Sequence, residues 1–336
     1  MALYCGIDLH SNNQVIVVID DNDRILLQKR VANDLALTLQ WLMPWREQLC
    51  GVAVESTFNW YWLVDGLMAE GFAMQLVNTT KVQSYSGLKH SDDEHDAFWL
   101  AHLMRLGILP TGYIYPAEQR PLRDLMRRRL YLVQQRSGNI LSLQNQVWRS
   151  HGHKMACNEI KSLDDEFAKD EVPLLRQSLD STRQIIVALD RQIHAIETML
   201  KKHVLDCDAY RHLFSVPGIG FALGTTILLE TGDIHRFKGP GNYASYSRCV
   251  DSVHTSNNKK KGEGNVKCGN RYLAWAYVEA ANFAKRYCPE AKRFYERKKA
   301  KTNTAIATKA LAHKLARACF FLIRDGVDFD VNKCFA

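Results

Sequence analysis

Long apolar runs, paired cysteines and an excess of glycine or proline are all missing from this 336-residue chain. No stretch approaches eighteen uncharged apolar residues, so a membrane-spanning helix is not expected. The nine cysteines are odd in number and none forms a C-x-x-C pair. They read as reduced thiols of a cytoplasmic protein, not as a disulfide framework or a zinc site. Nineteen glycines and eight prolines are too few for a disordered or collagen-like chain. The first eight residues carry no basic stretch ahead of an apolar one, so no signal peptide is expected there. Internal repeats are absent too.

What the chain does have is a lopsided charge. Its net charge is +8, yet residues 1–100 hold thirteen acids against six bases, a net −7. Residues 236–318 hold nineteen bases against five acids, a net +14. A smaller basic block, Arg120, Arg123, Arg127, Arg128, Arg129 and Arg136, is offset only by Asp124. Such an asymmetry suits a protein that holds a cation at one end and grips a polyanion with the rest. A merely solvated basic surface is the plainer alternative.

The first hundred residues read as βββ-α-β-α-β. Strands are predicted over 3–8, 14–19, 24–31, 52–55 and 72–77, and helices over 35–49 and 60–69, the first capped by Asn33 and stopped by Gly51. That order implies a mixed sheet with helices packed on it. A helix is expected over 96–106. Pro121 suits the first turn of a long helix running to about Trp148, followed by a polar connection over 151–171. From Pro173 a second long helix carries Leu175, Leu179, Thr182, Ile186, Leu189, Ile193, Ile196 and Leu200, spaced as a heptad seam. The last third reads as helices over 221–231, 238–247, 270–286 and 305–325. A loop of about twenty residues, 249–269, interrupts them and is long enough to suggest a functional role. The fold class is therefore α/β followed by all-α. Its expected parts are an N-terminal α/β domain over 1–118, a coiled-coil helical hairpin over 119–205 and a helical C-terminal domain over 206–336.

Four acids stand out. Asp8 and Glu55 each end an apolar strand, and Asp93 and Asp96 lie three apart at a helix start, on one helical face. Gathered together they would repel strongly unless a divalent cation neutralised them, and Mg²⁺ or Mn²⁺ accepts such oxygen donors. Taken singly, each acid is equally well explained as a cap or turn residue, and Asp92 and Glu94 are further acids nearby.

On G-I-D at 6–8, V-E-S-T at 54–57 and D-x-x-D-A at 93–97, the chain resembles the DEDD transposases of insertion sequences related to the Piv DNA invertase. The resemblance implies a RuvC-like N-terminal domain of the ribonuclease H fold, with Asp8, Glu55, Asp93 and Asp96 as its metal-holding acids. P-G-I-G at 217–220 is similar to the motif that opens the family's C-terminal transposase domain. Read by itself, it has the pattern of a helix-hairpin-helix turn whose glycines admit a phosphate, or of a plain interhelical turn.

The segment 253–273 is similar to the family's serine-containing loop. Aligning on K-C-G-N at 267–270 places the family's nucleophilic serine on Ser256, with Ser252 and Thr255 as other hydroxyls in reach. Asn257 and Asn258 stand where relatives usually carry glycines, and Asp251 where they often carry proline. A serine needs a base or metal to become a nucleophile, and on chemistry alone one in a lysine-rich loop is usually just solvated. The resemblance further implies DNA cutting and rejoining through a phosphoserine, directed by an element-encoded guide RNA, in homo-oligomers (dimers or tetramers) with active sites composed in trans.

Candidate nucleic-acid contacts are Arg123, Arg127 and Arg128 on the first long helix, then Lys259, Lys260, Lys261, Lys267 and Arg271 around the loop, and Lys298 and Lys299. Phe283, Tyr287, Phe294 and Tyr295 interleave with the last cations, as base-stacking residues or as the buried face of a helix. Two other readings stay open on the sequence. One is a RuvC-like nuclease using water and the same four acids; the other is an inactive nucleic-acid-binding protein.

Overall fold

The computed structural model describes residues 2–82, 92–251, 254–262 and 268–336. They divide into two compact units, 1–118 and 119–336.

The first unit is built on a five-stranded sheet of order β3-β2-β1-β4-β5. Its strands are β1 (Leu3–Leu9), β2 (Asn13–Ile19), β3 (Ile25–Ala32), β4 (Leu49–Glu55) and β5 (Met74–Val77). The first three form an antiparallel meander, while β1, β4 and β5 run parallel. Four helices accompany them: α1 (Leu35–Leu42), α2 (Tyr61–Ala69), the one-turn α3 (Thr79–Val82) and α4 (Asp93–Arg105).

The two-residue period of a strand sorts side chains between the two faces. Leu3, Cys5, Ile7 and Leu9 of β1, with Val52 and Val54 of β4, join a core that includes Leu42 of α1 and Leu63, Val64 and Leu67 of α2. The alternate residues face α4: Ala53 packs with Leu100 and Met104, and Val15, Val17 and Ile19 with Ala97 and Ala101. Gly6 belongs to that second face. A Cβ there would lie inside van der Waals contact of Ala97 O, and 2.8 Å from the amide nitrogen of Ala101. β3 is an edge strand, largely exposed, and carries Lys29 and Arg30, charges of the kind that disfavour pairing of an edge with another chain.

Helix α1 is shorter than the predicted 35–49. It ends at Leu42, and a single 3-10 turn over Met43–Trp45 contains Pro44, which has no N–H to continue the ladder. Asp34, not Asn33, caps it by accepting from Leu37 N. Gly51 lies inside β4 and does not stop the helix.

The second unit opens with α5 (Arg120–His151) and α7 (Pro173–Val204), which pack against each other. Leu179, Ile186, Ile193 and Leu200, seven residues apart, are buried, and the intervening heptad positions are half-buried. The 151–171 connection contains a short helix, α6 (Cys157–Lys161), and tucks Ile160 and Ala168 into the core formed by Ile140, Leu143, Val147, Leu179 and Ile186. Beyond it come α8 (Asp208–Phe214), α9 (Phe221–Thr231), α10 (Pro240–Tyr246), α11 (Arg271–Tyr287), α12 (Pro289–Lys299), α13 (Thr304–Asp325) and α14 (Val331–Phe335). Their core centres on Tyr243, Tyr277 and Phe320, with the two tyrosine hydroxyls 2.7 Å apart. Helix α12 takes the helical of the two readings offered for the cation-and-aromatic stretch, and buries Ala291 and Tyr295.

The long loop is not wholly irregular. It holds a hairpin of β6 (His254–Ser256) and β7 (Lys259–Gly262), turning at Asn257 and Asn258 with φ of 51° and 58°. A two-residue turn with both φ positive matches the twist of a hairpin, and asparagine tolerates that region after glycine. The departure from the family's glycines thus preserves the backbone shape they permit.

Candidate functional site

Parallel pairing of β1 with β4, Ile7 beside Val54, brings the carboxyl ends of both strands to one sheet edge. Asp8 and Glu55 follow those paired residues directly, on the face that α4 covers. Asp92 caps α4 by accepting from His95 N, which places Asp93 and Asp96 in its first turn. Because Gly6 has no side chain, α4 can approach the sheet closely enough for the acids of both elements to interact.

The electrostatics record that convergence. Burial raises the Asp8 carboxyl above the usual range, and the nearby charges of Asp93 and Asp96 raise it further, opposed by His10 and Arg30. Burial, with the charges of Asp8 and Asp96, pushes Glu55 up to about 6. Asp93 moves the other way, held low first by its hydrogen bond from Arg30 and then by His10. All four predicted acids therefore feel one another or a shared neighbour.

Two members of the site went unnoticed in the sequence. His10 Nε2 lies 3.1 Å from Oδ2 of Asp8 and 3.2 Å from Oδ1 of Asp93. Arg30 Nη2 donates to Oδ2 of Asp93 at 2.8 Å. Asp8, His10 and Asp93 each point a donor atom into a space small enough to hold one metal ion. The donor set fits a divalent cation: burial and neighbouring carboxylates raise the pKa of Asp8 and Glu55, and the Nε2 of His10 is sealed from solvent between two carboxylate oxygens.

Ser256 stands in the second unit, exposed, next to the hairpin turn and paired with Lys259. Thr255 is exposed beside it. Lys259, Lys261, Arg271, Lys298 and Lys299 also face solvent. Ser252, Lys267 and the side chain of Lys260 lie outside the described residues.

The arginine block of α5 is mostly turned inward, which corrects the expectation of a phosphate-facing surface. Arg127 donates from Nε and Nη2 to the two carboxylate oxygens of Glu230, at 2.6 and 2.7 Å, and stacks on Tyr272. Arg129 pairs with Glu197 and Arg136 with Asp190, both on α7, and Arg123 is buried. Arg128 alone of the three proposed contacts on this helix is exposed, beside Tyr131.

Glu230, only 4% exposed, also accepts from Nδ2 of Asn270 at 2.7 Å. Asn270 in turn caps α11 by accepting from Tyr272 N and Leu273 N, and its own N–H donates to Tyr246 O. The K-C-G-N motif thus anchors the downstream end of the serine loop to α5, α9 and α10. Gly218 of the P-G-I-G turn packs on the backbone of α11, where a Cβ would meet Ala280 O at 2.8 Å; Gly220 remains open at the start of α9. The aromatics near the C-terminal cations divide: Tyr295 is buried and Phe294 packs on the core, whereas Phe283 and Tyr287 are exposed.

A family model of IS110-type DEDD transposases matches residues 5–150, and one for transposases of the IS116/IS110/IS902 family matches residues 210–296. An uncharacterized 43.6 kDa protein of insertion element IS110 from Streptomyces coelicolor is 30% identical over 161 residues, covering 47% of this chain and 38% of the relative. The transposase for insertion sequence element IS1111A from Coxiella burnetii is 22% identical over 228 residues, covering 66% of this chain and 62% of the relative. The chain spans less than two thirds of the length of either. Among the described residues no helix is long and apolar enough to cross a membrane.

Proposed function

The chain belongs to the DEDD transposase family of insertion sequences, and from that premise we propose that it cuts and rejoins DNA through a covalent phosphoserine. The observation that carries this reading is that Asp8 and Glu55, at the ends of paired strands, lie in the electrostatic field of the α4 aspartates, with Asp93 close enough to Asp8 to share an ion with it. Those acids would hold one or more divalent cations, Mg²⁺ or Mn²⁺, which when bound supply charge neutralisation at the phosphate under attack. The sheet order, three antiparallel strands followed by two parallel ones with α4 across them, supports a RuvC-like N-terminal domain. We read the paired α5 and α7 as a coiled-coil hairpin over 119–205 and the remainder, 206–336, as the transposase domain.

Ser256 is the proposed nucleophile. Its Oγ–P bond forms as a deoxyribose P–O bond breaks, and the serine proton passes by way of a base to the departing oxygen, so that the freed strand leaves as a hydroxyl. Attack of a strand hydroxyl on the phosphoserine reverses the step and rejoins DNA. Exposure on a short hairpin flanked by Lys259 and Lys261 gives the serine access to a phosphodiester and cations to hold it. Arg128, Arg271, Lys298 and Lys299 are proposed to extend the polyanion surface to DNA and a guide RNA, and two or more copies to complete each active site in the cytoplasm of a prokaryote.

The test is a denaturation-resistant protein–DNA adduct, formed with element-end DNA, guide RNA and Mg²⁺. We expect the adduct with the unaltered chain and none with Ser256→Ala. An adduct that persists in Ser256→Ala removes that residue from the role. Cleavage with no adduct in either protein replaces the recombinase with a water-using nuclease.

A further inference from the structure

The family's four acids do not account for His10, whose ring nitrogen sits between two of them. We propose that His10 is a nitrogen ligand of the metal centre and biases it toward Mn²⁺ over Mg²⁺. This rests on the divalent-cation reading above but not on the serine chemistry.

Three observations support it. First, the spacing suits coordination: neighbouring donors on an octahedral ion with bonds of about 2.1 Å stand about 3 Å apart. The Nε2 of His10 is 3.1 Å from an Asp8 oxygen and 3.2 Å from an Asp93 oxygen. Second, Nε2 is sealed from solvent and faces an oxygen of each carboxylate at once, so the nitrogen and the two oxygens share one small space. Third, the residue is held by its backbone. Its carbonyl accepts from Asn33 Nδ2 at 3.0 Å and from Asn59 Nδ2 at 2.8 Å, and its N–H donates to Asn13 O at 2.9 Å. The turn that carries the ring is thus fixed by three separate segments before any ion arrives.

The chemical consequence is selectivity. Both ions favour oxygen donors, but Mg²⁺ is the smaller and harder and gives up water reluctantly, whereas Mn²⁺ as a transition-metal ion accepts a single imidazole nitrogen more readily. Asp93 presents one oxygen to this space while Arg30 holds the other, which leaves it a single-oxygen ligand. An imidazole among the carboxylates therefore penalises Mg²⁺ more than Mn²⁺.

The experiment uses the full, metal-stripped chain titrated with Mn²⁺ and followed by electron spin resonance, with Mg²⁺ as competitor. Pulsed spectra of the bound Mn²⁺ are expected to show one directly coupled imidazole nitrogen. Incorporating ¹⁵N-histidine should shift that coupling to ¹⁵N frequencies without any substitution. His10→Gln should abolish it and weaken Mn²⁺ at least about tenfold while changing Mg²⁺ affinity far less. The three backbone contacts survive that substitution, so the variant should keep the unfolding temperature of the metal-free parent. Bound Mn²⁺ without nitrogen coupling, or coupling that survives in His10→Gln, overturns the assignment and leaves a carboxylate centre standing. Failure of the unaltered chain to bind Mn²⁺ at all overturns the assignment and the metal centre together.

Discussion

Asp8 and Glu230 are both almost fully buried carboxylates, and they live in opposite circumstances. Glu230 receives three short hydrogen bonds, two of them from the Arg127 guanidinium, so its charge is met by a fixed partner. Asp8 has a histidine beside it, three other carboxylates in its field and a raised pKa. A protein that only needed to fold would satisfy both in the same way. One acid is answered by a fixed guanidinium and marks architecture; the other keeps a raised pKa among carboxylates and, under the proposed function, would take a cation from outside.

Removing the unanswered charge should affect reaction most. Asp8→Asn is expected to lower DNA strand cleavage by on the order of a hundredfold to a thousandfold or more, measured as single-turnover cleavage at saturating Mg²⁺, with the fold intact. Removing the answered charge should affect stability most. Glu230→Ala leaves the half-buried Arg127 without its bidentate partner and is expected to cost about 2–3 kcal/mol, read by urea unfolding of the second unit. If Glu230→Ala proves neutral, the contrast between the two carboxylates is lost.

The pH dependence sharpens the same distinction. Because the folded pKa of Glu55 is raised to about 6, folding favours its protonated form. The resulting stabilisation is fully present below the ordinary glutamate pKa and is lost as pH rises through about 6. The metal-free chain should therefore lose up to about 2 kcal/mol from this group between pH 4 and 7.5. Glu55→Gln should remove that part of the slope, and a bound divalent cation should reverse it. Chemical denaturation of the two proteins across this range, with and without chelator, reads the difference. The smallest effect is expected at the serine hairpin. Asn257→Gly and Asn258→Gly should leave adduct formation unchanged, while the alanine variants, strained at positive φ, should cost about 1 kcal/mol each in hairpin order, visible as faster amide exchange over 254–262.

Much of the first unit was legible because strands that end in acids advertise both a period and a break in it. Leu3–Leu9 and Leu49–Glu55 are apolar until the last turns of chain, and the acids there had no hydrophobic reason to exist. His10 escaped notice because a single histidine beside a polar turn looks solvated. Its signal was the spacing from Asp8, two residues along a strand edge and hence on the same side. Arg30 was hidden by its edge strand, where charge is normally protective. Glu230 had a usable signal, a lone acid closing the apolar stretch of α9. The arginines of α5 were harder. The partners of Arg127, Arg129 and Arg136 lie 103, 68 and 54 residues further on, beyond the reach of any local pattern. A cluster of cations without visible counter-ions resembles a polyanion surface until folding supplies the acids.

Position 6 has the least side chain of any in the strand, and that vacancy sets the spacing between the strand and the helix of the proposed metal site. Strand β1 and helix α4 can lie backbone to backbone only because no methyl group stands between Gly6 and Ala97. An alanine there would act as a wedge, prying the helix-borne aspartates away from the strand-borne carboxylates without altering any of the four acids themselves. The distance across which the four acids can share an ion is thus tuned by a carbon atom the chain does not have.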